Sequence, residues 1–272
     1  MLQIKACGLS DVGLARAHNE DCFGIDSEHR LAVVADGMGG HSHGEVASRI
    51  AVQSIRSYVD EHLGNHHSRP PEETGECRHA ELLETAVRDA HQKVLGAIRE
   101  DGALYGMGTT VVGFLLCGTT AAVANVGDSR VYRIREGRLE LLTQDHTWVN
   151  EQVVAGFLSA EQARVHPLKN VITRALGGDN EIKIDMLEVT TQPGDLYLLC
   201  SDGLTTMLSD PEIQSALEDR RGLEPTCRLL VDEANARGGL DNVTVVLVEI
   251  EESVDDADAS EARTAEVVTV DD

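Results

Sequence analysis

Basic residues are scarce in this chain: 23 Lys and Arg stand against 47 Asp and Glu, a formal charge of −24 over 272 residues. That excludes a nucleic-acid binder resting on a general basic surface, because neutralising phosphates needs clustered cations. Aromatics are scarce too, at 3%. With 42% hydrophobic residues the core must therefore be aliphatic. No apolar run approaches the roughly 20 residues of a membrane span, and the N-terminus lacks the basic and apolar regions of a secretory signal. A cytoplasmic protein without a membrane partner is expected. The six cysteines, at 7, 22, 77, 117, 200 and 227, include no C-x-x-C pair. Neither a zinc site nor a disulfide framework is indicated, and most are expected to be buried small hydrophobes.

What is abundant is acid, and part of it is local. Residues 251 to 272 hold nine acids and one Arg, a net −8 against −16 for the rest. This tail, rich in Asp, Glu, Ala and Ser, reads as a disordered extension of a domain spanning residues 1–250. The domain's acidic surface repels anions at long range, so a site for a phosphorylated substrate would need metal ions or placed arginines.

Short β-rich runs bounded by turn residues recur at Gln3–Leu9, Cys22–Asp26, Leu31–Ala35, Thr110–Cys117, Ala121–Val126, Arg130–Arg135 and Leu139–Thr143. Ile182–Val189, Leu196–Cys200 and Val243–Ile250 follow, the last a nearly continuous aliphatic run of the kind a fully buried strand shows. The linkers at 117–120 and 135–138 suit hairpins and hence antiparallel pairing. Two helices are predicted over Glu45–Leu63 and His79–Arg99; in the second, Leu83, Val87, Ala90, Val94 and Ile98 make one apolar stripe. Between them Gly64–Arg78, with Pro70-Pro71, reads as a surface loop. A late helix pair is predicted at Glu212–Leu217, with Asp210 as N-cap and Pro211 in the first turn, and at Pro225–Ala236. Blocks of strands with paired helices between them favour an α+β layered fold over a doubly wound sheet.

Carboxylates sit against glycines at the ends of apolar strands in four places: Asp36 with Gly37, Asp128 after Gly127, Asp202 with Gly203, and Asp241 after Gly239-Leu240. One Asp-Gly alone is ordinarily a turn. Four together suggest a site, because clustered carboxylates repel one another unless a cation or proton intervenes. Oxygen donors without paired His or Cys select Mg²⁺ or Mn²⁺, and two ions sharing a ligand can activate a water between them. Glycine lets backbone approach such ions, so the Gly37 carbonyl is a candidate ligand. Near the N-terminus, Arg16 is a candidate planar fork for two phosphate oxygens, with Glu20 and Asp21 candidates for metal-held waters or a metal.

In chain order, Gly-Leu-Ala-Arg-Ala-His-Asn-Glu-Asp (13–21), Ala-Asp-Gly-Met-Gly-Gly (35–40), Gly-Met-Gly-Thr-Thr (106–110), Val-Gly-Asp-Ser-Arg (126–130), Ser-Asp-Gly-Leu (201–204) and Asp-Asn-Val-Thr (241–244) resemble the metal-dependent PPM family of type 2C Ser/Thr protein phosphatases, bacterial branch. The resemblance covers about residues 4 to 250. It implies a four-layer α-β-β-α sandwich: two mostly antiparallel sheets flanked by helix pairs, with a dinuclear metal centre at one edge. By the same resemblance Asp36 bridges two Mn²⁺ or Mg²⁺ ions, Gly37 offers its carbonyl, and Asp202 and Asp241 complete the second ion's ligands. Asp128, with Asp202, matches the site of a third, weaker ion, Arg16 the phosphate-binding arginine, and Glu20 and Asp21 residues that act through water or directly. Asp145–Gly178 matches the variable flap, where Val153, Val154, Phe157 and Leu158 could pack on the body or touch a phosphoprotein, packing being the expectation. Met38 stands where eukaryotic relatives carry a histidine proposed as general acid; a water on the third metal is the first replacement, His41 or His43 the second.

The reading implied is a Mg²⁺/Mn²⁺-dependent phosphatase acting as a monomer on phosphoserine and phosphothreonine in proteins, including those of a partner Ser/Thr kinase. The expected chemistry is direct in-line attack of a metal-bridging water without a phosphoenzyme. No Cys-x5-Arg segment exists for a cysteine nucleophile, and the only Asp-x-Asp, Asp256-Ala-Asp258, lies in the tail. A catalytically silent phosphoprotein-binding module on the same fold is the alternative; a two-metal nuclease lacks a basic track. A zinc site among His62, His66, His67 and His79 is disfavoured, since the loop offers no fixed ligand geometry.

Overall fold

Aliphatic alternation along the strands fixes the layers. In β3 (Leu31–Met38) Leu31, Val33 and Ala35 pack on helices while Ala32 and Val34 face a second sheet. In β11 (Val243–Glu252) Val243, Val245 and Leu247 do the former, and Val246, Val248 and Ile250 the latter. A strand covered on both faces needs apolar residues at every position, which is why both read as continuous runs. The structure is a computed structural model describing residues 1–39, 43–64, 78–218 and 222–252.

One sheet orders β1 (Leu2–Asp11), β11, β10 (Leu196–Cys200), β7 (Arg130–Arg135) and β8 (Arg138–Leu141). The other orders β2 (Asp21–Asp26), β3, β5 (Val111–Cys117), β6 (Thr120–Val126) and β9 (Asp185–Thr190), with the short β4 (Gly108–Thr109) pairing with the end of β3. Each of these pairings is antiparallel, and the predicted linkers close hairpins at Cys117↔Thr120 and Arg135↔Arg138. Between the sheets Phe114 meets Tyr197, ring centroids 4.7 Å apart, so two of the few aromatics sit at the centre of the sandwich.

Helices α1 (Gly44–Gly64) and α2 (His79–Glu100) cover the second sheet through Ala51, Ile55, Leu83 and Val87. On the first sheet lie α5 (Asp202–Met207), α6 (Asp210–Glu218) and α7 (Leu223–Ala236), through Leu204, Ile213, Leu230 and Val231. This is the expected α-β-β-α sandwich. Between β8 and β9 the chain carries α3 (Trp148–Val154) and α4 (Ala160–Arg164). Among the described residues no helix is long and apolar enough to cross a membrane.

Several boundaries differ from the sequence reading. α6 begins at Asp210, so its cap is Ser209, whose N–H and hydroxyl both donate to Glu212 (2.8 and 2.6 Å). Asp210 instead accepts from the Tyr132 hydroxyl at 3.0 Å. β9 starts at Asp185 rather than Ile182, because the Ile182 carbonyl is taken by Arg88 (3.1 Å) and Ile184 turns into the α2-side core. Val154 and Phe157 are exposed rather than packed on the body. Cys200 and Cys227 are buried and Cys7 and Cys22 half-buried, all four free, but Cys117 is disulfide-bonded, against the expectation from spacing. Pro70-Pro71, Cys77, His66, His67, His41 and the tail beyond Glu252 lie outside the described residues. His62 stacks on Tyr58 at 4.0 Å and His79 opens α2.

Candidate metal and phosphate site

Strand order brings the carboxylates to one edge of the sandwich. Asp36 ends the buried part of β3, and its backbone is clamped on both sides. Its N–H donates to Thr110 Oγ1 (3.0 Å), and its carbonyl accepts from the Thr110 N–H and Thr109 Oγ1, each at 2.9 Å. Thr110 Oγ1 also shares a hydrogen bond with Ser129 Oγ at 2.7 Å, which couples Asp36 to the turn holding Asp128. Asp21 opens β2 and lies directly opposite Asp36 in register. Asp202 is the first residue of α5 and Asp241 stands just before β11, both close enough to Asp36 for their charges to press on it. Gly37 is a true steric requirement: a Cβ there would lie 2.2 Å from the Gly44 carbonyl oxygen and 2.5 Å from that of Glu20.

Like charges directly opposite on paired strands are destabilising, and the carboxyl groups respond by holding protons. Burial, then Asp21, Asp202, Asp128 and Asp241, raises Asp36 well above the usual carboxylate range. Burial lifts Asp21 to about 7 despite the nearby Thr244 hydroxyl and a hydrogen bond from Ser201 Oγ at 2.7 Å. Asp128 rises to about 8 through burial and then Asp202 and Asp145; Asp202 rises to about 6 through burial and Asp241. Arg16 is the cation at hand. Its Nη2 donates to Asp241 Oδ2 at 2.7 Å, which raises its own pKa further.

The residues fit hard divalent cations. Asp21 Oδ1 and Asp128 Oδ1 are buried with no hydrogen-bond partner, and the donor set is all oxygen. Among the described residues no three carboxylate, His or Cys side chains converge tightly enough to grip an ion by themselves. Mg²⁺-like ions are ordinarily held by one or two carboxylates with water completing the shell, so the arrangement and that demand agree. Glu20 lies beside this group with its backbone engaged, its N–H on Asn242 and its carbonyl on Gly37 and Ser48. Met38 is half-buried at the end of β3; His43 immediately precedes α1, its carbonyl accepting from the Val46 and Ala47 N–H groups.

The sequence reading left several supporting residues without roles. Ser201 bridges Asp21 and the Thr244 N–H. His146, buried, accepts from the Gly127 N–H at Nδ1 (3.0 Å) and meets Asp185 and Arg174 at Nε2, tying the turn before Asp128 to the segment after β8. Arg130 holds Asp145 in a two-pronged pair at 2.8 and 2.6 Å. Their only sequence signal is position inside or beside the glycine-carboxylate motifs.

The protein phosphatase 2C family model matches residues 15–242. A serine/threonine phosphatase, stp, of Listeria welshimeri is 38% identical over 247 residues, 88% of this chain and 93% of that protein. The crystal structure of the Mycobacterium tuberculosis serine/threonine phosphatase PstP/Ppp superposes with a TM-score of 0.82 at 35% identity, over 92% of this chain and all of that one. The catalytic domain of PstP in complex with two manganese ions gives a TM-score of 0.80 at 34% identity, over 93% and 100% of the two chains.

Proposed function

The chain belongs to the protein phosphatase 2C family and is a phosphoprotein phosphatase, and from that premise we propose how its own residues act. The reading is that Asp36, the Gly37 carbonyl, Asp202 and Asp241 hold two divalent ions. Mn²⁺, as in the PstP complex, is the first choice and Mg²⁺ the second, and Asp128 with Asp202 would hold a weaker third ion. Ions bound there supply Lewis acidity, bringing water's pKa toward neutrality and offsetting phosphoryl charge. Asp21 and Glu20 act from behind these ligands. The observation that carries the reading is the opposition of Asp21 and Asp36 across paired strands with an unpartnered buried oxygen beside it, because such a pair stands only with a cation or protons.

Arg16 presents two donors to the phosphoryl oxygens of phosphoserine or phosphothreonine, charge that increases as the water oxygen bonds to phosphorus and the Ser/Thr oxygen departs. Substrates are phosphoproteins, including a cognate Ser/Thr kinase and its targets, and the enzyme works as a cytoplasmic monomer. The phosphatase domain covers residues 1–250, with 145–178 as its flap.

With a phosphothreonine peptide, turnover requires Mn²⁺ and disappears with EDTA; metal-independent turnover would sink this mechanism. Failure on several phosphopeptides with metal present would favour the silent binding module. Arg16→Ala removes two charge-assisted hydrogen bonds worth about 1.5–3 kcal/mol each, so kcat/KM should fall about a hundredfold or more. Arg16→Lys keeps the charge but not the fork and should recover only part of that loss, mostly as a higher KM. Full recovery by lysine would reduce the arginine to a point charge.

A further inference from the structure

Arg16 sits half-exposed, at 51%, on the loop between β1 and β2, which has no regular secondary structure. An arginine there carries about 2 kcal/mol of rotamer entropy, and loop backbone adds more. For a two-pronged grip on phosphate to be ready before substrate arrives, the loop must be fixed from beneath. Asn242 lies there, 5% exposed. Its Oδ1 accepts from the Glu20 N–H at 2.8 Å, and its Nδ2 donates to the Val12 carbonyl at 3.0 Å and the His18 carbonyl at 2.9 Å. Those contacts lie on both sides of Arg16 in the chain, so one buried amide ties the two arms of the loop together with both its hydrogens used.

The same residue registers the loop to the site. The Asn242 backbone N–H donates to Asp241 Oδ1 at 2.9 Å while Arg16 donates to Asp241 Oδ2 at 2.7 Å. Gly13, at φ +76°, packs so closely on this segment that a Cβ would lie 2.3 Å from the Asp241 carbonyl oxygen. Other anchors hold single points of the loop: the Leu14 and Ala15 N–H groups, just before Arg16, donate to Gly239 O, and Asn19 Nδ2 donates to Ser10 Oγ, but neither joins the segments before and after Arg16 to one side chain as Asn242 does.

We propose that Asn242 is the positioning residue for Arg16, holding the loop so that the guanidinium meets the phosphoryl group in a fixed orientation while touching neither substrate nor ion. This rests on the phosphate-binding role of Arg16 given above. The test is a double-mutant cycle of Asn242→Ala and Arg16→Ala, with kcat and KM measured separately on a phosphothreonine peptide in Mn²⁺ and thermal unfolding followed alongside. Asn242→Ala should raise KM about tenfold or more, with a smaller change in kcat, since an unheld loop loses preorganisation. In the Arg16→Ala background the same change should alter kcat/KM by less than about twofold.

Additive losses, with Arg16→Ala itself impaired, overturn the inference alone. An Arg16→Ala enzyme with unchanged kcat/KM overturns the reading of Arg16 and the inference with it. Asn242→Asp keeps the acceptor for Glu20 and loses both donors, and should reproduce the KM rise. If neither Asn242 variant folds, Asn242 is a structural residue and the proposal is wrong.

Discussion

Asp36→Asn should abolish useful turnover and, in the absence of metal, make the protein more stable. Loss of the proposed bridging ligand removes several kcal/mol of charge stabilisation, so phosphopeptide hydrolysis in Mn²⁺ should drop about a thousandfold. The second half follows from the electrostatics. Asp36 faces Asp21 in register and is pressed by burial and by Asp21, Asp202, Asp128 and Asp241. Asn is nearly the same shape and carries no charge, so it removes the repulsion from Asp21, Asp202, Asp128 and Asp241. Chemical denaturation in EDTA near pH 7.5 should show a gain of about 1 kcal/mol, within the range seen when a strained site is relieved at the expense of activity. Wild-type turnover by the variant would remove Asp36 from the site. Lost activity with lowered metal-free stability would mean that the carboxylate earns its place through hydrogen bonding rather than as an ion-binding charge.

Asp36 could be read from the sequence because two periodicities meet there: an aliphatic run long enough for a doubly covered strand stops at a carboxylate followed by glycine. Glycines beside carboxylates at strand or helix ends likewise made Asp128, Asp202 and Asp241 candidates, and the layers followed from Val243–Ile250 and the stripe on α2. Asn242 was written in a motif yet had no visible task, because its partner Val12 is 230 residues away and a hydrogen bond of that reach leaves no local pattern. α5 went unread since Asp-Gly-Leu-Thr-Thr-Met has poor helix propensity; Leu204, buried against the first sheet, holds it in place. Val154 and Phe157 misled for the opposite reason, as apolar residues at the end of a short helix and in the turn after it look like core until their exposure is known. The register that opposes Asp21 to Asp36 was likewise beyond sequence patterning, because alternation sets which face a residue takes and not which residue lies across from it.

Metal-free protein should lose stability as pH rises from 5 to 8, the reverse of what a strongly acidic protein stabilised by salt bridges would do over acid pH. Asp202, Asp21 and Asp128 titrate at about 6, about 7 and about 8 in the folded chain, while unfolded aspartates ionise near 4. Between those limits the folded state binds more protons than the unfolded state, so stability falls with pH. The contribution is complete below about pH 4 and is lost as pH climbs through 6 to 8. Asp26, where hydrogen bonds from His29 outweigh burial, and Asp185, where His146 and Arg174 do so, have lowered values and act with the opposite sign below about pH 4. His79, His91 and His146, all lowered by burial, also oppose the trend, and within the window, so the three raised carboxyls set the net direction only by their larger displacement. Because the three raised groups share one field, their effects do not simply add. A total of at least about 3 kcal/mol, or roughly 6–12 °C in Tm, is expected across the window. Divalent ions compete with those protons, so Mn²⁺ should raise Tm more at pH 8 than at pH 5, with proton release measurable by calorimetry in buffers of different ionisation enthalpy. A flat metal-free profile, or a Mn²⁺ shift independent of pH, would mean that the carboxylates at this edge are already ionised and held apart by something other than protons.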